Sequence, residues 1–293
     1  MRRCPRLWKT SRFFSEGSTI KLPSAHRIIE EEGEVSIAFF RITGERFITM
    51  INVLGGMSQL AARSIKTMMS SRLAAREFLN QLYMIGNRSF SIVALIALFT
   101  GLVLALQLNV GLGRFGLKLY VGQVVGLAIF RELGPVLTAL MIAARVGSGI
   151  AAELGSMVVT EQVLAIEAMG ANPIQKLVVP RILAATIAAP ILTVMADVIG
   201  TLGGLIITVR EAGISARFYI DQVRNTLLLD DFTSGVAKAF FFGFFVAVIS
   251  CYQGLKTSGG TEGVGVATTK AVVVSAITIF VSDFFLTKLI LLL

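Results

Sequence analysis

The chain has 293 residues, 55% of them hydrophobic, with a formal net charge of +9 and a mean hydropathy of +0.78. A soluble domain of this size cannot cover so much apolar surface, so the composition excludes a water-soluble globular protein and points to an integral membrane protein. Two cysteines, Cys4 in a basic tail and Cys251 in an apolar run, and the lone His26 give neither a disulfide framework nor metal-ligand spacing.

Residues 1–58 form a basic, mixed segment that is left unassigned. Its first fifteen residues, MRRCPRLWKTSRFFS, hold no acid and several arginines, a composition shared by disordered tails and organellar transit segments. They lack the long apolar core of a cleaved secretory signal. Alternation in FFRITGERFITMINVLGG predicts a strand or two near 39–56. Over 59–86, Leu60, Ile65, Met69, Leu73 and Leu82 fall near helical spacing with Arg63, Lys66, Arg72 and Arg76 between them. That pattern predicts a helix in the headgroup layer, its basic side chains toward anionic lipid.

From there the chain is a permease-like domain, 59–293. Apolar stretches long enough to cross a hydrocarbon core of about 30 Å as helix lie near 89–110, 121–153, 174–209, 235–255 and 268–292. Stretches such as SIVALIALFTGLVLAL and AFFFGFFVAVISC are apolar on every side. A β-barrel would need strict alternation instead, so the fold class is an all-α membrane protein of about five spans. Basic residues concentrated before the first span place the N-terminus on the cytoplasmic side. An odd number of spans then puts the C-terminus outside.

The second apolar stretch carries Arg131 and Glu132 beside Pro135, in RELGPV. Proline removes a backbone donor and predicts a kink or break with a cavity beside it. Adjacent residues on a helix point about 100° apart, so the two charges cannot neutralise each other and at least one must find another partner. Intramembrane charges at such a place are a functional-site hypothesis. Further on, IAARVGSGIAAELGS places Ala143, Gly147, Ala151 and Gly155 on one helix stripe, a face that lets a second backbone approach. Arg145 and Glu153 can then turn to protein, a cavity or the headgroup region.

After this span, VVTEQVLAIEAMGANP predicts a helix of about ten residues, 161–170. Thr160 is the expected N-cap, Glu161 suits the positive helix start, Gly170 the C-terminal cap, and Asn172-Pro173 the stop. It is too short to span, and by the topology it is cytoplasmic. Its apolar Val163, Leu164, Ile166 and Met169 beside Glu161 and Glu167 call for a docking partner, since basic residues that would favour lipid are missing.

RELGPVLTALMIAARVGSGIAAELGSMVVTEQVLAIEAMGANPIQKLVVPRILA strongly resembles the signature region of MlaE-type permeases, the membrane subunits of ABC transporters that move phospholipids across bacterial envelopes, and of their chloroplast relatives. The resemblance runs from about residue 60 to the C-terminus and includes TGLVLALQ and GVGVATTKAVV. It implies a homodimer enclosing a lipid cavity, with Glu132 and its neighbour Arg131 at that cavity and Leu104, Leu112 and Phe115 lining it. It also implies that 161–170, with Glu161, Val163, Leu164, Glu167, Met169 and Gly170, couples to a cytoplasmic ATPase dimer. An intermembrane lipid-binding protein of the MCE type would exchange phospholipid with it. NVGLGRFG at 109–116 departs from the family in having glycines where relatives often carry bulkier residues.

The resemblance implies the bacterial inner membrane or the chloroplast inner envelope, and no nucleic-acid partner is expected. The chain has no G-x-x-x-x-G-K-[ST] phosphate loop, so it is expected to hold no cofactor, with ATP bound and hydrolysed in another subunit. Ser148 has no membrane histidine to activate it as a nucleophile. The rival expectation is an ion-coupled carrier using Glu132, Asp197 and Asp283.

Overall fold

The structure is a computed structural model that describes residue 48, residues 51–69 and residues 75–292. Most of segment 1–58 therefore lies outside the described residues. Of the strand or two expected near 39–56, the part described, residue 48 and residues 51–56, is helical, with 51–56 opening helix α1 rather than pairing with another extended segment.

Among the described residues every regular element is a helix. Helix α1 covers 51–69 and α2 covers Ala75–Gly113. Next come α3 (Val121–Ala128), α4 (Gly134–Ile142) and α5 (Ser148–Val159), joined through the π-helical segments Ile129–Leu133 and Ala143–Gly147. A short α6 (Gln162–Ala168) and a third π segment, Ile174–Val178, precede α7 (Val179–Ala212). The chain closes with α8 (Ala216–Thr226), α9 (Leu229–Leu255) and α10 (Gly260–Leu292). Residues Gly55–Leu293 form one compact unit.

Five helical stretches are long and apolar enough to cross a membrane: Ala75–Gly113, Lys118–Val159, Ile174–Ala212, Leu229–Leu255 and Gly260–Leu292. Each contains one expected span and extends past it, since a helix does not stop where its apolar stretch does. Of the surface helix expected over 59–86, residues 59–69 are helical as part of α1 and residues 75–86 are the opening turns of α2, while 70–74 lie outside the described residues. No proline interrupts α2 there, and Gln81 bonds Glu77 one turn away at 3.2 Å, so the polar start runs directly into the span.

Two of the three π segments have the same cause. Pro135 and Pro180 cannot donate to the carbonyl four residues back, and the residue before a proline avoids tight α geometry. In both places that preceding residue reaches one residue further: Gly134 N–H donates to Ile129 O, and Val179 N–H to Ile174 O. The predicted kink or break at Pro135 is thus a π-bulge in a helix that continues, a common way to absorb a lost bond.

Packing in lipid depends on close approach, and small residues provide it. A Cβ on Gly101 would overlap the Gly200 carbonyl, and one on Gly203 the Leu98 carbonyl, so α2 and α7 meet backbone to backbone. Ala139, Ile142 and Ala143 pack with Leu192 of α7, Phe242 and Val246 of α9 and Ile279 of α10. At the other end of the bundle from α6, Tyr219 and Val223 of α8 pack on Val121 and Val125. Ser215 caps α8 by accepting from Phe218 N at 3.3 Å. Burial holds the Tyr219 phenol above its ordinary pKa, and its neutral hydroxyl donates to Thr201 O at 3.2 Å.

Candidate functional site

The bulge before Pro135 leaves the Arg131 carbonyl without its helical donor. Lys238, from the middle of α9, supplies one: its Nζ lies 3.0 Å from Arg131 O. The same ammonium donates to Glu132 Oε2 at 2.8 Å and to Thr287 Oγ1 of α10 at 2.7 Å. A lysine has three donors, and these three acceptors use all of them. Asp283 Oδ1 sits 3.2 Å from Nζ as an ion-pair partner but receives no hydrogen bond. Thr287 completes the ring by donating to Glu132 Oε1 at 3.4 Å.

One buried cation therefore faces two carboxylates. The Lys238 side chain is only 2% exposed, whereas that of Glu132 is 41% exposed, so the site has a fixed inner anchor and an outer carboxylate open to a neighbouring molecule. Arg131 turns elsewhere: its Nε pairs at 3.4 Å with Asp231, which also accepts from Leu228 N at 3.0 Å at the start of α9. Arg131 and Glu132 are expected not to neutralise each other, with at least one finding another partner; in the structure both do. Close helix contact makes this possible, since a Cβ on Gly235 would overlap the Phe130 carbonyl.

Of the carboxylates singled out in the sequence, Glu132 and Asp283 come together and Asp197 does not join them. Asp197 is 1% exposed, lies against Gly134 where a Cβ would overlap its Oδ1, and that oxygen has no partner. It flanks the opposite side of the bulge, near a space of about 20 Å³ lined by Leu133, Gly134 and Thr138. Glu153 pairs at 3.0 Å with Arg181, a residue 6% exposed at the start of α7. Arg145 is exposed and makes no ion pair among the described residues.

The small-residue stripe faces protein. Ala143, Gly147, Ala151 and Gly155 are all buried. A Cβ on Gly147 would lie 2.8 Å from Ser250 Oγ, and one on Gly155 2.8 Å from Thr257 Oγ1, so α9 and the turn after it occupy the space.

Helix α6 is shorter than expected, seven residues, and is capped differently. Thr160 is not the N-cap: its hydroxyl donates back to Ser156 O at 2.8 Å and finishes α5 instead. The chain reverses through Glu161, left-handed at φ 58°, which takes the N-cap position without a side-chain bond. Gly170 does close the helix, at φ 75°. Gly170 N–H bonds Glu167 O at 2.9 Å and Ala171 N–H bonds Ile166 O at 3.1 Å, the paired pattern that a left-handed glycine permits. Asn172 Oδ1 then accepts from Ile174 N at 3.0 Å. Val163 and Ile166 are half-buried, whereas Leu164 is 60% and Met169 73% exposed.

The three apolar residues that the resemblance placed at a cavity are not brought together with Glu132 in one chain. Leu104 lines an open depression of about 370 Å³ with Phe99, Val103, Gln107 and Leu133. Leu112 packs on the Val121–Tyr219 cluster, and Phe115 projects outward at 78% exposure. Leu133 and Glu132 diverge because neighbouring helical positions do, so the acid turns to α9 and α10 while the leucine turns to α2.

Sequence reading missed Lys238, Thr287, Asp231 and Arg181. A signal existed for the first, since Lys238 is the only charge between Asp231 and Lys256, and a lysine within a span marks function by default. Thr287 carried none. No cluster of metal-binding side chains occurs among the described residues.

Comparison with known proteins gives a consistent result. Residues 78–289 match the family described as Permease MlaE. A probable ABC transporter permease protein of Rickettsia felis is 40% identical over 246 residues, 84% of this chain and 95% of its own length. The chloroplastic protein TRIGALACTOSYLDIACYLGLYCEROL 1 of Arabidopsis thaliana is 36% identical over 78% of this chain and 65% of its own length. The intermembrane phospholipid transport system permease protein MlaE of Haemophilus influenzae is 33% identical over 88% of this chain and 95% of its own.

Proposed function

Because this chain belongs to the MlaE permease family, we propose that it is the membrane subunit of an ABC transporter that moves phospholipid between membranes of the cell envelope. ATP is hydrolysed by a separate cytoplasmic dimer, a second copy of the chain completes the lipid path, and an MCE-type protein exchanges lipid on the far side. Residence is the bacterial inner membrane, or the inner envelope of a chloroplast. The chain itself performs no covalent chemistry.

The observation that carries the reading is α6. It is a fixed, closed turn of helix between two spans that exposes Leu164 and Met169, and exposed apolar side chains on a short polar-flanked helix are characteristic of a docking face. Motion delivered there enters α5 directly and passes along one continuous helical span to the bulge at Ile129–Leu133. The π segments are where that span changes register most easily. A shift at the bulge alters how Glu132 sits on Lys238, and with it the polar surface offered to a phospholipid headgroup. Leu104 and the depression beside it support the acyl chains.

The test is purification of the full chain from its native membrane in mild detergent, with mass spectrometry of what remains bound. An ATPase and glycerophospholipid are expected in proportion to the chain, and the double substitution Leu164→Asp, Met169→Asp should release the ATPase while leaving thermal stability unchanged, since both side chains are exposed. Recovery of the chain without an ATPase, in vesicles that still take up substrate on a proton gradient, would favour an ion-coupled carrier built on Glu132 and Asp283.

A further inference from the structure

At the end of the bundle that holds α6, a groove runs between α1 and the inner ends of two spans. Arg63 and Lys66 of α1 meet Asn172 and Ile174 across a space of about 370 Å³. Arg63 continues into an adjoining space of about 390 Å³ with Gln59, Tyr252, Leu255 and Lys256. Lys256 is steadied there, its Nζ 3.2 Å from Tyr252 Oη and 5.5 Å from the ring centroid.

Three cations line this groove against one carboxylate, Glu167, and none of the four makes an ion pair among the described residues. Concentrated, unpaired positive charge is a site for an anion. Helix α1 is held over it by one face: Met57, Leu60 and Ser64 are buried, and Gly56 leaves room for the Tyr252 ring. Another face exposes Ile65 and Met69, the division expected of a helix in the headgroup layer. Leu60, Leu255 and Ile174 give the groove an apolar floor, which suits a ligand with a glycerol and acyl body better than a bare phosphate.

We propose that this groove binds the phosphate of an anionic phospholipid in the leaflet on which α1 lies, through Arg63, Lys66 and Lys256. The site requires only that the spans sit in a bilayer and is independent of whether the chain transports lipid. Its occupant bridges α1 to the segment just after α6, so the lipid composition of that leaflet sets how firmly the α6 segment is held.

The test uses the full chain in phosphatidylcholine nanodiscs doped with phosphatidylglycerol, read by native mass spectrometry. The wild type is expected to retain phosphatidylglycerol under activation that strips phosphatidylcholine. Arg63→Gln/Lys66→Gln/Lys256→Gln should lose it, Lys256→Gln alone should lose part of it, and Arg76→Gln/Arg88→Gln, exposed cations away from the groove, should keep it. Thermal unfolding confirms that each variant is folded; should the triple variant fail, the single one carries the comparison. Equal retention by wild type and the groove variants, or equal loss in the Arg76/Arg88 control, overturns the site. If inorganic phosphate stabilises the delipidated wild type but not the groove variant while phosphatidylglycerol retention is unchanged, the ligand is a soluble anion and the lipid assignment falls.

Discussion

At the scale of single residues, the organising event is a missing hydrogen bond. Pro135 frees the Arg131 carbonyl, and Lys238 answers it while neutralising Glu132 and facing Asp283. A buried charge is costly unless paired, and removing one member of a buried pair is more damaging than replacing the whole. Substituting Lys238→Met should therefore destabilise the protein by about 3–5 kcal/mol, read as a lowered thermal midpoint in detergent. Adding Glu132→Gln and Asp283→Asn should restore part of that, because the stranded carboxylates are then gone. A single variant no less stable than wild type would contradict the arrangement. The sequence exposed half of this site: RELGPV announced two charges beside a proline, but Thr287 is 155 residues from Glu132, and only the packed helices reveal which threonine, among many, turns inward.

At the scale of elements, the helices were legible and their joints were not. Uniformly apolar stretches identified five spans, whereas their ends followed local chemistry that hydropathy does not carry. Thr160 looked like a cap by type, yet its hydroxyl bonds back to Ser156, and the left-handed turn fell on Glu161, a residue that rarely adopts it. Glycine patterning was more informative where backbones touch. The stripe from Ala143 to Gly155 signalled a protein-facing surface, and Gly101 and Gly203 fix the α2–α7 contact on the same principle. Gly101→Ala should cost about 1–3 kcal/mol by forcing these helices apart, while Gly111→Ala in the same helix, with open space around its Cβ position, should be neutral or slightly stabilising. Thermal unfolding of the two variants side by side decides it, and equal effects would refute the close approach.

At the scale of the whole molecule, the bundle is polar at two separated levels. Lys238 lies seventeen residues from the α6-side end of α9 at Leu255, about 26 Å along a helix, so the charged site and the docking helix sit in different layers of the membrane. The continuous span from Lys118 to Val159 joins them, with a π segment on either side of α4. That separation fits the proposed function, in which energy enters at one end and lipid is handled at the other. The most direct measurement is phospholipid transfer in proteoliposomes containing the full chain and the proposed ATPase partner, with a labelled lipid followed in the presence and absence of ATP. Transfer should require ATP, and it should be abolished by Leu164→Asp/Met169→Asp and by Glu132→Gln, with ATP hydrolysis surviving in the second variant. Transfer that continues without ATP, or that persists at the wild-type rate in both variants, would contradict the account.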